Sequence, residues 1–194
     1  MDAPIMKKEW ILEQERRFAR ELARAVIEVP KLNIWMILIP FILVYHIHRH
    51  NNAVKGRSAF VEHYLLSRSR SLDEACAAVV DLRPPDIDKV TAKAVDLPAA
   101  ARSAYRDWIT VLIRHYGDLL QAPGADVREL TAAVYTNRTN YLLFLNQLNQ
   151  LENALNAALR NHVAETTQSV CETITRIESR SAELRRLQAE ALFP

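Results

Sequence analysis

Three groups of residues have the types and spacing that chemistry would use. His46, His48 and His50 form an H-x-H-R-H run, and on a helix His46 and His50 share a face as two metal ligands would. No Cys lies nearby and no Asp or Glu intervenes before Glu62, so a third ligand is missing. The imidazoles and Arg49 read better as head-group contacts that titrate near neutral pH. The SRSRS run offers Ser67, Ser69 and Ser71 for modification and Arg68 and Arg70 to a phosphate. Alternate residues on a helix point apart, and a solvated interruption explains this run equally well.

The third group is Asn146, Asn149, Asn153 and Asn156, a stripe at heptad-like spacing beside the leucines of NQLNQLENALN. Buried asparagines can fix helix register and oligomeric state, so these four are the candidate contacts for a partner helix. A solvated face bordering the core is the plainer account.

Other chemistries lack their motifs. No Glu-x-x-His occurs, and its nearest relative is reversed, His162 before Glu165. There is no GxxxxGK[ST], GxGxxG or GxSxG. No cofactor, metal or catalytic residue is therefore expected. An enzyme would need a pocket joining Arg49, His50, His63 and a carboxylate.

The elements that must position these groups are helical. With 194 residues and only three glycines, the chain has few places for tight β-turns, and Ala, Leu, Arg, Glu and Gln dominate. The two cysteines, Cys76 and Cys171, stand alone without CxxC spacing and read as free thiols. The formal charge of +2 is too small for a nucleic-acid partner, but it is unevenly spread. Residues 1–57 hold ten Lys and Arg against six Asp and Glu, and residues 58–194 hold fifteen against seventeen.

The basic excess surrounds LNIWMILIPFILVYHI, residues 32–47. At 1.5 Å per residue, sixteen helical residues reach about 24 Å, short of the roughly 30 Å hydrocarbon core. Pro40 removes a backbone hydrogen bond at its middle. Lys and Arg flank both sides, which by the positive-inside bias puts both ends on the cytoplasmic face. A bent, re-entrant insertion is favoured over a single span, with a buried core helix third. Ile34, Trp35, Ile37, Leu38, Ile39, Pro40, Phe41, Ile42, Leu43 and Val44 are the expected membrane-inserted residues. Arg20, Arg24, Lys31, Arg49, Lys55 and Arg57 are the expected contacts to anionic head groups.

Around that segment the periodicity predicts an all-α protein. Residues 1–30 form an amphipathic interfacial helix, with Ile11, Phe18, Leu22 and Val26 on one face, ended by Pro30. Residues 31–50 are the inserted segment, 51–83 an amphipathic helix stopped at Pro84-Pro85, and 84–97 a connector. Residues 98–194 form a helical hairpin or bundle, opened by Tyr105, Trp108, Ile109, Leu112, Tyr116 and Leu119 at spacings of 3 and 4. From Val127 to Leu192 no Pro or Gly occurs, which allows one long C-terminal helix. Val163, Val170, Ile177, Leu184 and Ala191 repeat at seven, out of phase with Tyr141, Phe144, Leu148, Leu151 and Leu155, so a break or hairpin near 156–163 is as plausible as a coiled-coil rod.

The function these features imply is a non-enzymatic scaffold or adaptor anchored at the cytoplasmic face of a membrane. Its partners are anionic lipid and a protein or second copy met through the C-terminal helix. The alternatives are an accessory subunit of a membrane complex and, third, a membrane-bound enzyme.

Overall fold

The computed structural model describes residues 3–27, 56–160 and 168–194, and among them the chain forms seven helices and no strand. The first helix, α1 (Ala3–Val26), buries Ile11, Phe18, Leu22 and Val26, the face expected from their spacing. Its partner is α2 (Gly56–Val80). Lys8 pairs with Asp73 at 2.7 Å, Glu15 with Arg68 at 3.1 Å, and the Ile27 carbonyl accepts from Arg57 Nη2 at 2.9 Å. Numbers rise along α1 as they fall along α2, so the two run antiparallel.

That pairing corrects the reading of α1 as an interfacial helix. Its apolar face is not open to lipid, because Phe18, Leu22, Ala23, Val26 and Ile27 cluster with Phe60 and are flanked by Tyr64, Ile177 and Leu184. An amphipathic stripe reports that one face leaves water, and the same stripe serves a membrane or a bundle.

The α2 helix ends where Leu82 turns to φ 51° and the Arg83 N–H reaches back to the Ala78 carbonyl at 3.0 Å, a Schellman closure ahead of Pro84-Pro85. Buried Glu74 fixes the exit by accepting from Arg83 Nη1 at 2.6 Å and from the Asp86 N–H at 2.8 Å. Burial alone would raise its carboxyl pKa, but the Arg83 and Asp86 hydrogen bonds outweigh that and hold it low. Asp86 then caps the short α3 (Ile87–Thr91) through the Lys89 N–H.

The central element is α4 (Ala99–Gln121), which buries nine residues including Tyr105, Trp108, Ile109, Leu112, Tyr116 and Leu119. Lys7 reaches from α1 to its C-terminus and donates to the Leu120 and Ala122 carbonyls at 3.1 and 2.7 Å, where a cation best meets unsatisfied carbonyls. Gly124 follows at φ 153°, and a Cβ there would stand 2.9 Å from the Leu130 backbone nitrogen. Asp126 caps α5 (Val127–Tyr135) by accepting from the Arg128 and Glu129 N–H groups, while the Glu129 carboxylate accepts from the Ala125 N–H.

The expected long C-terminal helix is three helices. It breaks first at Thr136, where φ 66° and ψ −40° let the Asn137 N–H bond the Tyr135 carbonyl at 2.6 Å in a γ-turn. Asn137 then accepts from the Asn140 N–H and opens α6 (Arg138–Arg160). The last helix, α7 (Gln168–Leu192), returns antiparallel to α6: Tyr141 meets Phe193, Asn149 meets Arg185 and Asn156 meets Glu178. The hairpin thus replaces the rod, and the heptad series proves misleading. Ile174 and Ser181, which stand off that series, are buried, whereas Ile177 and Leu184 are half-buried and Ala191 is exposed. One apolar cluster joins Ile11, Leu72, Tyr105, Leu148 and Ile174, from five helices.

Candidate functional site: a buried charge network and its cavity

At the level where α1, α2, α4, α6 and α7 converge, four ionised side chains sit inside the bundle. Arg68 and Arg185 are 3 % exposed, and the side chains of Glu15 and Glu152 are 16 and 19 % exposed. The position of each follows from its helix: Glu15 lies one turn from Ile11 and Phe18 on the inner face of α1, and Glu152 one turn from Leu148 and Leu155 on α6.

The four form a chain of charge-assisted bonds. Arg68 Nη1 donates to both Glu15 oxygens at 3.1 and 3.2 Å, and its Nη2 donates to Glu152. Arg185 grips Glu152 with two parallel bonds of 2.7 and 2.9 Å and also donates to Asn149. Tyr116 donates to Glu15 at 2.7 Å and the Trp108 indole N–H to Glu152 at 3.3 Å. Aromatic faces cover the guanidiniums: Arg68 stands 4.6 Å from the Tyr64 ring centroid and Arg185 5.4 Å from that of Phe18.

Burial alone would raise the Glu152 carboxyl pKa, but Arg185 and Arg68 beside it win and lower it. Burial pushes the Tyr64 hydroxyl up to about 12, and burial with the Glu15 charge raises that of Tyr116. Two positive and two negative charges cancel, and every carboxylate is taken up by a guanidinium.

Beside the network lies a cavity of about 70 Å³, lined by Glu15, Arg68, Tyr64, Tyr116, Arg185 and, on its apolar side, Phe18, Tyr141 and Phe144. It has room for a few waters at roughly 10–15 Å³ each. His115 also lines it, stacked on Phe144 with ring centroids 4.2 Å apart and its Nδ1 2.7 Å from the Tyr135 hydroxyl. Burial, and secondarily Arg68, depresses its pKa to about 3, so it is neutral at physiological pH. The cavity therefore holds paired charges and a neutral imidazole, an arrangement suited to locking helices rather than to moving a proton.

Glu15, Glu152 and Arg185 were not among the residues singled out from the sequence. Arg68 belongs to the SRSRS run, whose reading as a solvated interruption is corrected: Ser67, Arg68 and Ser71 are all buried. Ser67 Oγ lies 3.3 Å from the Tyr105 hydroxyl and Ser71 Oγ donates to the Ser67 carbonyl, so neither hydroxyl is presented for modification. The signal available was the four-residue spacing of the small Ser67 and Ser71 with the apolar Ala75, a narrow inward stripe.

The asparagine stripe divides. Asn149 and Asn156 are half-buried and bind Arg185 and Glu178 of this chain's own α7, so their partner helix is internal, whereas Asn146 and Asn153 are exposed. Of the head-group candidates, Arg20 is exposed and pairs with Glu13 at 3.4 Å, Arg24 is exposed, and exposed Arg57 donates to Ile27. Lys31, Arg49 and Lys55, the histidines 46, 48 and 50, and the apolar run from Ile34 to Val44 lie outside the described residues. The cavity does not include His63. Among the described residues, no three of His, Cys, Asp and Glu converge as a metal site requires, and no helix is long and apolar enough to cross a membrane.

No family model, curated protein or solved structure matches the chain.

Proposed function

We propose that the chain is a non-enzymatic helical scaffold held at one face of a membrane, with residues 32–47 supplying the grip on lipid and the bundle standing outside it. The observation that carries this reading is the closure between Arg57 Nη2 and the Ile27 carbonyl at 2.9 Å, at the end of the antiparallel α1–α2 pair. Ile27 follows the end of α1 and Gly56 opens α2, and the Arg57–Ile27 bond sets the two ends of the stretch between them side by side. Inserted in lipid, a segment whose two ends are adjacent enters and leaves by the same face. That favours re-entrant insertion over a span, in keeping with the short apolar run and the basic residues on both sides of it. At one end the anchor acts through apolar transfer, while the locked bundle presents its outer helices to partners.

The test is extraction combined with accessibility. Single cysteines placed at exposed Glu9, at Asn51 and at exposed Arg186, in a Cys76→Ala, Cys171→Ala background, are challenged with an impermeant thiol reagent on sealed vesicles. The expected result is retention in the membrane after carbonate washing, with all three sites labelled from the same side. Release by carbonate overturns the anchor, and labelling of Asn51 from the opposite side overturns the single-face topology.

A further inference from the structure

The outward face of α6 carries no charge. Its exposed positions include Leu143, Asn146, Gln147, Gln150, Asn153 and Ala157, and the only ionised residues of the helix are Arg138 and Arg160 at its ends and Glu152 inside the network. Leu143, Gln150 and Ala157 stand seven residues apart, with Asn146 and Asn153 beside them in a second column of the same period. Over fifteen residues this makes an uncharged seam of about 22 Å at 1.5 Å per residue. Elsewhere the exposed surface is laced with ion pairs, as on α1 (Glu13 with Arg16, Arg17 and Arg20) and α7 (Arg180 with Glu183, Arg186 with Glu190).

We propose that this face is the contact surface between two copies of the chain, paired α6 to α6 about a two-fold axis. Chemistry selects the occupant. A two-fold axis sets a face against itself, so a face of one charge sign would repel its copy, whereas a side-chain amide both donates and accepts and can pair with its own copy. Leu143, 63 % exposed, gives the seam an apolar anchor, and Ala157 allows close approach at the other end. Asparagines at seam positions of paired helices specify register and helix number, the role expected for this stripe, here held by Asn146 and Asn153 and not by Asn149 and Asn156. One helix pair buries less than the roughly 800 Å² per partner of a standard interface, so the contact is weak between free molecules. It becomes populated when both copies share one membrane face, because tethering raises their effective concentration. The proposal rests on the anchored reading for its strength but not for its geometry.

The experiment uses the full chain in lipid nanodiscs and in detergent, with Gln150→Cys in the Cys76→Ala, Cys171→Ala background and Arg106→Cys, exposed on α4, as control. Gln150 lies midway along the seam and approaches its own copy whether the helices run in the same or opposite sense. The expected result is a disulfide dimer at position 150 and not at 106, abolished by Asn146→Lys with Asn153→Lys, with the dimer dissociation constant raised at least about tenfold by the like charges. Both lysines replace exposed side chains, so the circular-dichroism melt should stay within a degree or two of the parent, showing that loss of dimer is not loss of fold. Equal cross-linking at 106, a dimer indifferent to the lysine pair, or a monomer in nanodiscs each overturns the proposal. A chain freed by carbonate that still cross-links at 150 overturns the anchor alone. A chain retained by the membrane that fails to cross-link overturns the pairing alone.

Discussion

Replacing Glu152 by Gln should be the most damaging isosteric change available in this bundle. Glu152 accepts from both Arg185 nitrogens, from Arg68 and from Trp108, and its carboxylate joins the two guanidiniums. The amide removes one of two negative charges, keeps one acceptor oxygen and turns an N–H pair toward donors. Breaking a buried ion pair by removing one partner costs about 3–5 kcal/mol. At about 2–4 °C per kcal/mol for a chain of this size, the midpoint should fall by about 6–20 °C. The assay is thermal unfolding of the full chain followed by helical circular dichroism between pH 3 and 7. Because the folded Glu152 pKa lies below its ordinary 4.5, its contribution is complete above pH 4.5 and is lost as pH falls through the lowered value. The gap between parent and variant should be full at pH 7 and narrow below pH 4.5. Glu152→Leu with Arg185→Met, which leaves Arg68 and Glu15 as a balanced pair, should be less destabilised than Glu152→Gln alone. A loss under about 1 kcal/mol for Glu152→Gln, or a double variant worse than the single, would refute the view that charge balance inside the bundle governs the cost.

Two further outcomes test backbone and turn. Gly117→Ala should stabilise by about 0.5–1 kcal/mol because an added Cβ meets nothing within 4 Å on α4, whereas Gly124→Ala should destabilise because its Cβ would strike the Leu130 nitrogen at 2.9 Å; denaturant titration of both variants separates the two signs. Thr136→Gly should stabilise by about 0.5–1 kcal/mol, since a β-branched residue at φ 66° is strained and the threonine is exposed, and an unchanged or lowered unfolding midpoint would mean the γ-turn stores no strain.

What the sequence revealed and what it concealed divide along a physical line. The core stripe of α4 and the stop at Pro84-Pro85 were legible, because apolar periodicity and chain breakers act locally. The break at Thr136 was not: neither neighbour is Pro or Gly, and packing of α5 and α6 around His115 and Tyr135 joins the local Asn137 and Asn140 bonds in holding the turn. The charge network was concealed because a lone Arg or Glu on a helix reads as solvated. Only the meeting of five helices turns Glu15, Arg68, Glu152 and Arg185 inward together. The seven-residue series through Ile177 and Leu184 misled for a related reason: the inward line of α7 runs through Ile174, Ser181, Arg185 and Ala189, where one polar and one charged residue disguise the core.

Two features of α6 have one explanation. A helix on the surface of a lone bundle ordinarily places charge outward, where water solvates it, and keeps its inner face apolar. In α6 the inner face is apolar as usual, but its one mid-helix charge, Glu152, faces inward to Arg68 and Arg185, and its outer face carries Leu, Asn, Gln and Ala without an ion. The inner charge locks α6 against α2 and α7, so its outer face is presented in fixed register. The uncharged outer face is one that forgoes the ordinary means of staying solvated and avoiding contact. A rigid helix with a self-complementary amide seam is suited to pairing, and the Glu152→Gln variant should therefore weaken cross-linking at Gln150 even at temperatures where the bundle remains folded. Cross-linking undiminished in that variant would show that the seam does not depend on the lock beneath it.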